Sequence, residues 1–128
     1  MSERPAIIRV HQEEEGNQAH VAVTLAWQDA EFHGEAVGDT DANSRPRLLG
    51  EATLRAVEKV TENRVSLTLA AVATTDLGEA QIAMAQVKME GDDQLMVGSA
   101  LLRENNPTSA TVRAVLDAIN RRLTQVLS

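Results

Sequence analysis

The sequence predicts an α+β fold in which a βββα unit occurs twice in tandem, its six strands forming one sheet packed against two helices. Three observations lead there. Residues 110–118, Ala-Thr-Val-Arg-Ala-Val-Leu-Asp-Ala, echo residues 52–60, Ala-Thr-Leu-Arg-Ala-Val-Glu-Lys-Val, with five of the first six positions identical. Residues 21–36 align without gaps on 85–100, 64 positions further on, with identities at Val23/Val87, Asp29/Asp93, Gly34/Gly98 and Ala36/Ala100. Each helical pattern also follows the same run of strand-like segments, so the halves 6–61 and 65–126 read as one duplicated unit inside a single domain, 1–128. The helices match at a spacing of 58, which makes the first strand-to-helix loop six residues longer than the second.

Residues 6–12 alternate apolar and polar side chains, as a half-buried strand does, and Glu13 to Asn17 form a charged turn. From His20 to Trp27 the alternation is clean, with Val21, Val23, Leu25 and Trp27 on one face and His20, Ala22, Thr24 and Ala26 on the other. Gln28-Asp29-Ala30 makes a tight turn into 31–37, placing Trp27 near Phe32 across a hairpin. Gly34 inside that arm marks a bulge or a close backbone approach. After the polar loop 38–45, Pro46 suits the first position of a helix, where its missing N–H would be unpaired in any case. Leu49, Ala52, Ala56, Val57 and Val60 follow at helical spacing, and Glu62-Asn63-Arg64 closes the first half.

The second half opens with a strand at 65–73, apolar or small on both faces, and Thr74 to Gly78 turn the chain. Residues 80–89 are strand-like, Gly91-Asp92-Asp93 is a turn, and 95–102 return. Asn106 is a good N-cap, and Val112, Leu116, Ile119, Leu123 and Val126 form one continuous apolar seam.

Composition bounds the function. At 128 residues the chain can bury a core without staples, but aromatics are only 2%, so Val, Leu, Ile, Met and Ala must fill it. The net charge of −7 and the absence of a basic patch argue against nucleic acid and anionic membranes. Without cysteine there are no disulfides, no thiolate chemistry and no Cys-based zinc sites. The N-terminus lacks the apolar run of a signal peptide and no stretch of 18 apolar residues occurs, so a cytoplasmic protein is expected.

Two motifs carry a resemblance to a known family. Ala73-Thr-Thr-Asp-Leu-Gly-Glu-Ala80 is similar to a turn with Thr-Asp before a Gly-Glu pair, and Ala118-Ile-Asn-Arg-Arg-Leu123 to a closing helix with Ala-x-Asn-Arg. Both belong to the C-terminal regulatory, leucine-binding domain of 2-isopropylmalate synthase, and Gly34 and Gly38-Asp39 resemble the end of that domain's third strand. The first strand-to-helix loop is longer here, with Ser44-Arg45-Pro46, and these 128 residues do not include the family's catalytic barrel. The resemblance implies the fold, dimerisation and an effector pocket for a small metabolite such as an amino acid or keto acid. It does not imply synthase activity.

The candidate sites are weighed accordingly. His11, His20 and His33 lack helical spacing and a completing carboxylate pattern, so they read as solvent-facing strand residues and no metal is expected. His33 with Glu35 and Ser44 or Thr40 lacks a nucleophile elbow, and Gly34-Glu-Ala-Val-Gly38 lacks the Gly-Lys-Ser/Thr end of a phosphate loop. No catalytic residue and no cofactor are expected. The turns at 38–41 and 74–79 are the ligand candidates, with Gly38, Asp39, Thr75, Asp76 and Gly78 as the binding residues. Ala22, Ala26, Ala70, Ala83 and Ala85 read as one small-residue face, too apolar for water, that a second copy would cover. The expected function is a non-enzymatic, metabolite-binding regulatory module acting as a homodimer; the alternative is a ligand-free dimeric scaffold or adaptor.

Overall fold

A computed structural model of the chain describes residues 4–41, 44–103 and 106–127. The element order is β1 (Ala6–Glu15), β2 (Gln18–Trp27), β3 (Ala30–Asp39), α1 (Arg45–Val60), β4 (Leu67–Leu77), β5 (Ala80–Met89), β6 (Met96–Leu101) and α2 (Pro107–Leu127). The two βββα units are therefore present. They do not share a sheet: β1-β2-β3 and β4-β5-β6 are two separate antiparallel sheets.

The reason lies at the edge of β4. Arg47 and Arg55 of α1 donate hydrogen bonds to the carbonyls of Leu69 and Leu67, and the Leu67 N–H donates to Glu58 at 2.8 Å. Helix side chains thus occupy backbone groups that a neighbouring strand would have needed. Helix α1 lies against β2 and β3 on one side and against β4 and α2 on the other, while α2 covers β5 and β6. Every fully buried large side chain, from Leu25 and Leu54 to Ile119 and Leu123, belongs to these contacts.

Tight approach of helix to strand explains the shortage of aromatics. A methyl group on Gly34 would lie 2.1 Å from the Ala52 carbonyl oxygen, and one on Gly98 would lie 2.3 Å from that of Ala114. Gly34 pairs in regular register with Val23, so its role is close helix approach and not a bulge. The bulges fall instead in the first strand of each unit, between Ile7 and Arg9 and between Leu69 and Ala71.

These contacts also correct the internal alignment. Strand β2 maps onto β5 at a spacing of 62, end to end, and α1 and α2 begin 62 residues apart. Eight of the nine buried residues of α1 have a buried counterpart in α2 at that spacing. Only β3 follows the spacing of 64, because the loop between β5 and β6 is longer than the Gln28-Asp29 turn between β2 and β3. The identities at 58 in the helices and at 64 in β2 are each displaced by about one period of the element. Four residues in a helix and two in a strand keep the same face, so pattern alone cannot detect the slip.

Two strand boundaries differ from expectation for the same physical reason. The charged stretch Glu13–Glu15 and the segment Thr74–Leu77 continue their strands, and the turns are only Gly16-Asn17 and Gly78-Glu79. Gly16 and Gly78 adopt φ values of +60° and +62°, as tight two-residue hairpins require. Among the described residues no helix is long and apolar enough to cross a membrane.

Candidate functional site

The first turns of the two helices converge on one cavity. It has a volume of about 370 Å³ and is lined by Glu14, Thr40, Arg45, Pro46, Leu49, Thr74, Pro107, Thr108 and Thr111. Arg45 and Pro107, Pro46 and Thr108, and Leu49 and Thr111 are equivalent positions of the two units, 62 residues apart. The cavity is therefore lined by equivalent positions of both units. Its size suits a small metabolite.

Each wall follows from local sequence. Ser44 precedes α1 but makes no side-chain capping bond, and the first intrahelical bond runs from the Leu48 N–H to the Ser44 carbonyl at 3.0 Å. The N–H groups of Arg45 and Arg47 precede that bond and have no intrahelical acceptor, while Pro46 has no N–H to offer. In α2, Asn106 caps the helix by accepting from the Ser109 N–H at 3.2 Å, as its residue type predicts. The positive ends of both helix dipoles thus point to the same region.

Side chains supply the remaining polarity. Arg45 donates to Gln12 at 2.7 Å and to Glu14 at 2.5 Å, and its Nε is buried without a hydrogen-bond partner. Gln12 donates in turn to the Thr108 hydroxyl at 3.4 Å, linking β1 to α2. Thr111 is only 2% exposed and lines the cavity. Buried Thr53 and Thr61, by contrast, donate to helix carbonyls. Thr111 lines the cavity from the first turn of α2, at the position equivalent to Leu49 in α1. Leu49, Pro46 and Pro107 provide the apolar lining.

None of the five predicted ligand residues lines this cavity, although the two predicted segments do meet there. Thr40 stands next to Asp39, and Thr74 is two residues before Asp76, hence on the same face of β4. Thr75 lies on the opposite face, and Gly78 belongs to the β4–β5 hairpin turn. Gly38 packs against Leu48, where an added methyl would come within 2.8 Å of a side-chain carbon. Sequence reasoning missed Arg45, Thr108 and Thr111, because the pairing of two helix starts is a tertiary event. The one available signal was a proline in the first turn of each helix, Pro46 and Pro107.

Elsewhere, Glu13 and His11 form an exposed pair at 2.9 Å on the outer face of the first sheet. The hydrogen bond and positive charge of His11 hold the Glu13 carboxyl below the usual carboxylate range. Among the described residues no three His, Cys, Asp or Glu side chains gather to hold a metal ion. No protein-family model matches the chain, and no curated protein matches it either.

Proposed function

We propose that this chain is a non-catalytic regulatory module that binds a small metabolite between its two helix starts and acts as a homodimer. The observation that carries the reading is the cavity lined by the first turns of both helices, Arg45, Pro46 and Leu49 from one and Pro107, Thr108 and Thr111 from the other. An amino acid matches its chemistry. A carboxylate meets the free N–H groups of the first helical turns, an ammonium group meets Glu14 and the threonine hydroxyls, and an aliphatic side chain meets Leu49 and the two prolines. Asp39 and Asp76 are one and two residues along the chain from the lining residues Thr40 and Thr74. The resemblance to the regulatory domain of 2-isopropylmalate synthase supports the same class of ligand. A keto acid of equal length lacks the ammonium group and binds more weakly.

A thermal-shift screen of amino acids and their keto acids tests this. Ligand at a hundredfold excess over its Kd adds about 2.7 kcal/mol to stability, enough for a shift of several degrees. Thr111→Val should abolish the shift while leaving the melting temperature of the free protein nearly unchanged, since volume is kept. The scaffold reading, favoured by the uncovered apolar face of the second sheet, expects no shift with any metabolite.

A further inference from the structure

The duplication offers an internal comparison between the two sheet faces that point away from the helices. On the first sheet that face carries Arg9, His11, Glu13, His20, His33 and Glu35; the structurally equivalent positions of the second sheet are Ala71, Ala73, Thr75, Ile82, Val97 and Ser99. The scaffold is the same, so the fold itself does not demand the change. Met84, Val97 and Leu101 stand on the second face 41%, 56% and 46% exposed. In a chain with 19 acidic residues, this face has no acid among the described residues, and its one charge is Lys88 towards one end.

The edges of this sheet are occupied. On β4 they are held by Arg47, Arg55 and Glu58; on β6, Arg113 donates to the Leu101 carbonyl and Asp117 accepts from the Ser99 N–H, each at 3.0 Å. Strand addition is therefore opposed at both edges, and the open surface is the face.

We propose that the outer face of the β4-β5-β6 sheet is a self-docking surface, on which a second copy packs face to face about a two-fold axis. Charge selects the occupant. A face without acids offers nothing to a basic partner and complements its own copy, while the chain's net charge of −7, set by acids elsewhere, discourages other self-contacts. Strands of 11, 10 and 6 residues, about 4.8 Å apart and rising about 3.3 Å per residue, give a footprint of roughly 430 Å² per copy. With side-chain relief, two such faces bury on the order of 900–1,200 Å², the size of the smallest specific interfaces. Aligned sheet packing about 10 Å apart provides the geometry. The inference locates the dimer contact of the proposed module but needs no ligand, so it stands or falls separately from the cavity.

Analytical ultracentrifugation of the whole chain at micromolar concentration should show a dimer. Met84→Asp and Val97→Asp should give monomers with unchanged circular dichroism, while the equivalent first-sheet variants Ala22→Asp and His33→Asp should stay dimeric. Because the chain has no cysteine, Ser99→Cys and Glu35→Cys can each carry a single spin label. The Ser99 labels should lie within about 30 Å of each other across sheets packed about 10 Å apart, and the Glu35 labels well beyond that. A monomeric wild type at about 100 µM would overturn the proposal, as would dissociation by the first-sheet variants alone. Variants that cost only the metabolite-induced shift, such as Thr111→Val, should leave the dimer intact.

Discussion

Gly34 and Ala52 meet so closely that a methyl on Gly34 would sit 2.1 Å from the Ala52 carbonyl oxygen. The atom in the way is helix backbone, which cannot rotate aside. Gly34→Ala should therefore cost about 3 kcal/mol or more, by forcing α1 off the sheet. Gly98→Ala should cost a similar amount against α2, because its nearest neighbours are the Ala118 nitrogen and the Ala114 oxygen. Gly78→Ala meets open space and should cost only about 1–2 kcal/mol, the strain of a left-handed backbone. Urea denaturation of the three variants checks the order.

The helix starts should respond unequally. Asn106→Ala removes a bond to the Ser109 N–H and should destabilise the protein by about 1 kcal/mol. Ser44→Ala removes no capping bond and should stay within a few tenths of a kcal/mol of wild type. Equal losses in thermal melts would contradict the asymmetry.

Alanines of the second sheet divide by face. Ala83 and Ala85 were expected on a dimer surface, yet they are 0% and 1% exposed and pack in the core with α2. Ala85→Arg should therefore unfold the monomer, at a cost of about 3–5 kcal/mol or more for an uncompensated buried charge. Circular dichroism would show loss of structure, not merely dissociation.

The pH response of Glu13 has a fixed sign. Its folded pKa is lowered, first by the hydrogen bond from His11 and then by that residue's charge. The contribution to stability is thus present above the ordinary carboxylate pKa and is lost as pH falls through the lowered value. The pair is solvent-exposed, so carboxyl NMR titration is the suitable readout. His11→Gln should return Glu13 to the ordinary range.

Local pattern determined much of this protein. Period-two alternation identified β2 and β5, helical spacing identified α1 and α2, and Asn106 marked a cap, because each depends on neighbours along the chain. The βββα duplication was legible for the same reason. Its register was not, since a slip of two in a strand or about four in a helix preserves the buried face. Only contacts such as Gly34 with Ala52 and Gly98 with Ala114 fix it.

The division into two sheets was likewise beyond the sequence, because it depends on how Arg47, Arg55 and Glu58 of α1 fold onto the backbone of β4, a packing that local pattern does not specify. The candidate site follows the same rule. Polar turns at 38–41 and 74–79 could be read as binding segments, but the cavity forms where Arg45 of α1 and Thr108 and Thr111 of α2 line one space. Sequence settles which residues favour a strand, a helix or a cap, because those preferences are local. Tertiary structure decides which faces meet, because burial is shared between residues that the chain keeps apart.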